Sequence, residues 1–341
     1  MVRKYLTIAE LKPGARLEGI TYLLSGAQLR PKKDGGNFAA LVLRDATGKA
    51  NAVMWDGFDA IASGAIKEND FVEIHGDTST YNGGLQFRIS KLTPVHDNEV
   101  ETERFLPNSP RVPAEMDAEL ETFLESIGDR DLHRLTRAVF DDPDFRRRFR
   151  RAPAASTMHQ AYLGGLIEHT LCVACNARAL AACYPEADLD LLTAGALLHD
   201  IGKVAEYSYD RKIGHTDAGR MLGHISMGNA MVEVRCSQMP DLPPAKKVAV
   251  QHLILTHHGQ REYGSPQLPA TLEALILHHA DQLDAQASAY NEWRKETART
   301  GVRWERHRMF EGRPMFGQAW DAADGGEILR EVGYAAPVIR R

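Results

Sequence analysis

Through the first hundred positions apolar residues alternate with polar ones, and beyond that they recur at helical spacing. Residues 17–24, 38–45 and 50–55 read as three strands, with a turn signal at Thr47-Gly48 before the third. A short helical stretch over 58–66 follows. Residues 71–76 and 85–89 supply two more strands, joined through Asn82-Gly83-Gly84. Five strands with a helix between the third and fourth is the element order of an OB-fold barrel, placed here over residues 1–95. Residues 96–113 are polar and carry Pro107, Pro110 and Pro113, with Pro94 just ahead of them, which is a linker composition.

Thereafter the period changes. Leu120, Phe123, Leu124 and Ile127 keep helical spacing, as do Leu163, Leu166, Ile167 and Leu171, and later Leu272, Leu275, Ile276 and His279. Pro143, Pro153, Pro185, Pro240, Pro266 and Pro269 mark breaks between helices. This predicts an all-α domain over 114–297. Residues 298–341 mix Gly, Arg and aromatics without a period, and read as a C-terminal extension, either docked or partly disordered.

With 341 residues the chain is long enough for two cores. Its 43% hydrophobic and 26% charged residues are ordinary for a globular protein, and a net charge of -5 excludes an overall cationic coat for nucleic acid. Local basic patches stay open. The start, Met1-Val2-Arg3-Lys4-Tyr5, leads into no apolar signal segment, and no apolar run approaches the roughly 20 residues a membrane span needs. Cys172-x-x-Cys175 lies in an Ala-rich helical pattern without a second pair, so it reads as packing rather than a zinc site. These features point to a cytoplasmic protein with no membrane partner.

The chemistry lies among the histidines of the helical half. His199-Asp200 closes the apolar run 191–198 and is followed by Ile201-Gly202-Lys203. A polar pair ending so apolar a run is costly unless it is paired or metal-bound. His169 sits on another apolar helix, and Asp281 closes a third, over 272–280. Three helices each presenting an acid or imidazole from an apolar face is how a bundle holds a metal. His224 and the adjacent His257-His258 offer ligands for a second cation, with Asp200 able to bridge the two. Imidazole with carboxylate and no thiolate suits Mn, Fe, Co or Zn. For His75, His96, His133 and His307 the ordinary reading, a hydrogen-bonded core or surface side chain, is kept.

The order His169, His199-Asp200, Asp281 resembles the HD superfamily. The longer string is similar to the YhaM-type 3′–5′ exoribonucleases, which join an N-terminal OB-fold to an HD domain. The likeness is carried by residues 161–170, by 194–203 ending in His199-Asp200-Ile201-Gly202-Lys203, by Leu222-Gly223-His224-Ile225, by 252–266 around His257-His258, and by 280–285 around Asp281. Met158-His159 stands where the pattern has His-His, and His215 where it has an aromatic. The resemblance implies a multidomain fold, an N-terminal all-β OB-fold barrel followed by an all-α HD-domain helical bundle. It implies two divalent ions, Mn²⁺ foremost and Mg²⁺, Fe²⁺, Co²⁺ or Zn²⁺ otherwise. His169, His199, Asp200 and Asp281 would hold the first, and Asp200, His224, His257 and His258 the second. Hydroxide activated between them would attack phosphorus. Lys203, three residues after Asp200, would stabilise the phosphate, and His159 or His252 would contact it or protonate the leaving oxygen. His278 reads as a supporting or core residue.

For the substrate, Phe145-Arg146-Arg147-Arg148-Phe149-Arg150-Arg151 can guide a polyanion or be a solvated helix face. In the barrel, Phe38, Trp55, Tyr81 and Phe87 are candidates to stack on bases, with Tyr81 expected exposed and Trp55 expected in the core. Lys32, Lys33, Arg44 and Arg88 can add phosphate contacts. The favoured expectation is a metal-dependent 3′–5′ exonuclease on single-stranded RNA, and DNA as a further partner, releasing nucleoside 5′-monophosphates; RNA preference and direction rest on the resemblance alone. A small-nucleotide or cyclic-dinucleotide phosphohydrolase and a non-catalytic nucleic-acid-binding protein are the alternatives. Against the first, the chain lacks after His257-His258 the Gly-Tyr-Pro signature that marks cyclic-dinucleotide HD enzymes, and the intact ligand set speaks against the second. HD-type enzymes often self-associate, which keeps a homo-oligomer among the options.

Overall fold

A computed structural model of the chain describes residues 4–157, 160–297, 301–307 and 310–317. They divide into two compact units between Asp284 and Ala285. The first begins with strands β1 (Arg16–Pro31), β2 (Asn37–Asp45) and β3 (Gly48–Met54), a single helical turn α1 (Asp59–Ala62), then β4 (Phe71–Tyr81) and β5 (Gly84–Val95). They close into a barrel in the order β1-β2-β3-β5-β4, with β3 and β5 parallel and the other pairs antiparallel. β1 pairs with β2 and β4 at once. It does so by changing register between Glu18 and Ile20 and between Leu24 and Gly26, the irregularities that bend a long strand round a barrel. Tyr22, Leu24, Leu41, Leu43, Val72, Ile74 and Phe87 fill the interior.

Both later strands run further than the alternation predicts. Thr78, Ser79 and Thr80 of β4 pair with Phe87, Gln86 and Leu85 of β5. Ladder hydrogen bonds extend β4 where no apolar face signals it, whereas β5 runs on through the buried Leu92 and Val95. Conversely α1 is shorter than the helical stretch expected over 58–66.

The stretch from 96 to 112 is no free linker. Two short 3₁₀ turns shape it, and Phe105 and Leu106 are fully buried. The Phe105 ring lies 4.9 Å from Phe71 and 5.9 Å from Tyr5. Leu23, Phe71 and Val95 of the barrel thereby join the helical core. Polar, proline-rich composition gave no sign of these two anchors.

The helical part follows: α2 (Pro113–Glu125), α3 (Arg130–Phe140), α4 (Pro143–Arg151), α5 (Gly165–Ala181), α6 (Leu189–Leu198) and the short α7 (Lys203–Glu206). A two-residue hairpin, β6 (Tyr207–Ser208) and β7 (Gly214–His215), leads into α8 (Asp217–Ser237), α9 (Pro244–Thr256) and α10 (Leu272–Thr297). Asp129, Asp142 and Asp188 cap α3, α4 and α6 by accepting first-turn N–H groups. The central α6 is apolar nearly all round and buried, packed against α3, α5 and α9. Among the described residues, no helix is long and apolar enough to cross a membrane.

α10 opens in the first unit and continues into the second. There Tyr290 and Trp293 meet Phe310 and His307 of a small hairpin, β8 (Trp304–Arg306) with β9 (Pro314–Phe316). The Tyr290 hydroxyl donates to the Phe316 carbonyl at 2.6 Å. The described part of the C-terminal extension is thus ordered around an aromatic cluster.

Candidate metal centre

Two features of helix ends build this site. His199 and His257 are the C-caps of α6 and α9, where the last carbonyls have no partner further along the helix. Each imidazole turns back and donates from Nδ1 to a carbonyl three residues earlier, His199 to Ala196 at 2.8 Å and His257 to Ile254 at 2.7 Å. A carbonyl can only accept, so Nδ1 carries the proton and Nε2 faces the interior with a lone pair. His258 Nδ1 donates to the Tyr263 carbonyl at 2.7 Å, and His169 Nδ1 to Asp284 Oδ2 at 2.7 Å. His224 Nδ1 stands 3.0 Å from Glu206 Oε2. Five imidazoles therefore present Nε2 inward, the arrangement by which outer partners orient metal-binding histidines.

The inward atoms form two groups, His169, His199 and Asp281 in one and His224, His257 and His258 in the other, each with its ligand atoms within 4.8 Å of one another. Asp200 lies between them. Its Oδ2 is 3.3 Å from both His169 Nε2 and His199 Nε2, while its Oδ1 is 3.4 Å from His224 Nε2 and 3.5 Å from His257 Nε2. Asp281 Oδ1 lies 3.1 Å from His169 Nε2. Asp200 Oδ1, His224 Nε2 and His257 Nε2 are buried without a hydrogen-bond partner. Buried lone pairs left facing one another are costly unless something positive lies between them. The spacing fits edges of about 3 Å expected round an ion with bonds of about 2.1 Å. The donor set thus fits divalent cations.

Electrostatics agree. Burial raises the cost of charge on every group, yet the Asp200 carboxyl is held well below its usual range by Lys203, His199 and His169, and Asp281 by His169 and the neighbouring rings. Burial would lower the His169 pKa, but Asp200, Asp281 and Asp284 outweigh it and raise it well above the usual value. A positive charge is called for at that point. Burial lowers His257, with His199 adding to the effect, and pushes His258 down to about 3 with help from His257. Both rings are therefore neutral and able to ligate at neutral pH. The Lys203 ammonium, itself buried, lies 2.6 Å from Asp200 Oδ2.

Other candidate residues fall elsewhere. His252 Nε2 accepts the Ala270 N–H at 3.0 Å, and His278 Nδ1 bonds the His257 carbonyl at 2.9 Å, supporting that turn. His159 lies outside the described residues. Asp281 does not close a helix as the apolar run suggests; α10 continues through it for four more turns, and only tertiary packing turns it inward. The arginines of α4 are individually engaged: Arg146 with Glu121, Arg147 with Asp144, Arg148 with the Val204 carbonyl, Arg150 with Asp117 and Arg151 with Glu103. Phe145 and Phe149 pack on Phe140 beneath them. None of these arginines lies in the metal clusters.

Glu206 and Asp284 escaped sequence reasoning. Asp284 follows Asp281 by three residues and so shares its helix face, which was a usable signal. Glu206 had none, since its link to His224 runs through a hairpin.

In the barrel, Tyr81 is 62% exposed, as expected, but so is Trp55 at 48%, against the expectation of a core residue. β3 ends at Met54, and Trp55 turns outward onto Phe38, with centroids 4.8 Å apart and Lys32 over its ring at 5.7 Å. Phe87, a stacking candidate, is instead fully buried against Tyr22. An open cleft is lined by Phe38, Trp55, Tyr81, Gln28, Arg30 and Arg88. Arg88 is paired with Asp77 at 2.7 Å.

Comparison with known proteins accords with this layout. Residues 166–286 match the family model of the HD domain, and residues 23–95 that of an OB-fold nucleic acid binding domain. The chain therefore carries an N-terminal OB-fold barrel and a helical region with an HD domain, which marks the superfamily of metal-dependent phosphohydrolases. Among solved structures, the second OB-fold domain of replication protein A from Methanococcus maripaludis is similar at 22% identity, over 27% of this chain and 96% of that one, with a TM-score of 0.22. Schizosaccharomyces pombe Pot1pC, bound to ssDNA, is similar at 14% identity, over 28% of this chain and 89% of that one, with a TM-score of 0.24.

Proposed function

We propose that this protein is a metal-dependent 3′–5′ exonuclease that hydrolyses single-stranded RNA, and DNA as a second substrate, to nucleoside 5′-monophosphates in the cytoplasm. The observation that carries the reading is Asp200, one buried carboxylate with one oxygen directed to each of two histidine clusters. His169, His199, Asp200 and Asp281 would hold one ion, and Asp200, His224, His257 and His258 the other. When bound there, divalent cations, Mn²⁺ foremost, would supply Lewis acidity and lower the pKa of a water. The chain contributes the rest. Nδ1 contacts to Ala196, Ile254, Tyr263, Asp284 and Glu206 keep the five rings oriented without reorganisation. The Lys203 ammonium is pinned by Asp200 where it can neutralise charge on a phosphate oxygen. Its pKa stays raised, because Asp200 and Asp281 outweigh burial, so it remains charged throughout.

A strand rather than a mononucleotide is favoured by the cleft of Trp55, Phe38 and Tyr81, where the exposed Trp55 and Tyr81 rings and the half-buried Phe38 offer π faces to bases, while Arg88 in the cleft and Lys32 over Trp55 offer charge to the backbone. Direction and RNA preference rest on the likeness to YhaM-type enzymes. The test is incubation with Mn²⁺ and 5′-labelled single-stranded RNA. A ladder of shortened labelled products is expected. Intact RNA with turnover of small nucleotides would replace the reading by the small-molecule one, and retarded but uncut RNA by a binding protein. An Asp200→Ala variant cutting at full rate would refute the mechanism.

A further inference from the structure

The segment between the two metal clusters makes a detour. It leaves α7 at Glu206, runs out along β6, turns at residues 209–213 and returns along β7 to Thr216, the N-cap of α8. Its base is closed tightly around Glu206. Thr216 N–H donates to the Glu206 carbonyl at 2.9 Å, and the Glu206 side chain accepts the His224 N–H at 3.2 Å besides facing the His224 ring. Its tip reaches the barrel. There Arg211 Nη1 lies 2.5 Å from Asp70 Oδ1, on the residue that precedes β4, and Nη2 lies 2.6 Å from Asp97 Oδ1, just after β5. Arg211 Nε also donates to Asp97 Oδ2 at 3.0 Å, and the guanidinium stands 6.0 Å from the Phe71 ring. One planar cation thus bridges the two strands at the open end of the β4–β5 ribbon, where Phe71 pairs with Val95, from a hairpin whose root contacts the candidate metal ligand His224.

We infer that Arg211 is a positioning residue that keeps the barrel in register with the metal centre, so that a strand held on the barrel delivers its end to the site. This rests on the strand-degrading reading above. Fold stability does not need the clamp, because Phe71, Phe105, Leu106, Leu23 and Val95 already bury the contact between barrel and helices. The pairing with the exposed Asp97 is open to solvent, and an ion pair so placed contributes little to stability. What a bidentate guanidinium adds is geometric: it fixes an orientation where an apolar patch alone permits sliding. Lysine, with one charge centre, cannot reproduce the two-point contact that Nε and Nη2 make with Asp97 while Nη1 holds Asp70.

The test compares wild type with Arg211→Ala and Arg211→Lys on bis-p-nitrophenyl phosphate, a dinucleotide and a single strand of about twenty nucleotides, longer than one barrel spans. Each is assayed with Mn²⁺, and thermal unfolding is followed in parallel. The expected result is small-diester turnover within about twofold of wild type. On the long strand kcat/KM should fall tenfold or more through KM, with Arg211→Lys in between. Equal losses on all three substrates would show that Arg211 acts on the fold or the metal centre, and would overturn the clamp. So would unchanged length discrimination in Arg211→Ala. A wild type that treats the dinucleotide and the long strand alike would refute the strand reading itself and the clamp with it, an outcome visible before any variant is made.

Discussion

Gly202, the residue before Lys203, sits where α7 meets α8. A Cβ placed on it would lie 2.0 Å from the His224 carbonyl oxygen, 2.6 Å from Gly228 N and 2.8 Å from His224 C. All three are backbone atoms of α8, so no rotamer can swing them aside. Ordinary contact begins at 3.4 Å, so Gly202→Ala must move α8 away by about 1.4 Å at His224. His224 Nε2 now stands 3.4 Å from Asp200 Oδ1, and a shift of that size takes its nitrogen out of bonding range of an ion shared with Asp200. His169, His199 and Asp281 come from α5, the end of α6 and α10, and stay in place. The variant should therefore lose the ion of the His224 cluster and keep the other. Overpacking should cost about 1–3 kcal/mol of stability. Displacing a catalytic group by about 1 Å should lower turnover roughly a hundredfold. Metal content by mass spectrometry after dialysis, thermal unfolding, and hydrolysis of a small diester with Mn²⁺ read the three effects. A Gly202→Ala protein with wild-type metal content and turnover would refute the reasoning.

Asp284→Asn keeps the shape but removes the charge behind His169, so affinity for Mn²⁺ at that cluster should fall about 10–100-fold in calorimetric titration. Chelator-treated protein should gain thermal stability when Mn²⁺ is restored, by about 2.7 kcal/mol at a hundred times Kd, and Asp200→Ala should lose most of that gain. Trp55→Ala should weaken binding of a single strand by about 1–3 kcal/mol in fluorescence anisotropy while small-diester turnover is unchanged. Asp129 caps α3 and accepts from Lys246, which together hold its pKa below the usual value, so Asp129→Ala should cost about 1 kcal/mol near neutral pH. A depressed folded pKa contributes stability above the ordinary Asp pKa and loses it as pH falls through the folded value. The difference between wild type and variant should therefore shrink below about pH 4 in urea unfolding.

How much of this was legible beforehand follows from what periodicity encodes. Alternation located the barrel strands, and apolar runs located the helices, because each reports which side of an element is buried. The candidate ligands were visible for the same reason: His169, His199 and Asp200 are polar groups inside runs that otherwise exclude them. Trp55 was misjudged because an aromatic after an apolar strand looks like core until the strand is seen to end one residue earlier. Extension of β4 past its apolar segment was invisible because ladder hydrogen bonds leave no trace in side-chain pattern. What only the tertiary structure decided is the division of labour within the site. Which oxygen of Asp200 faces which cluster, which nitrogen of each imidazole points inward, and that Glu206 stands behind His224 all depend on how α5, α6, α8, α9 and α10 are packed. A sequence specifies the face each helix presents, but distances between faces arise from packing many side chains at once, and the candidate metal centre consists of those distances.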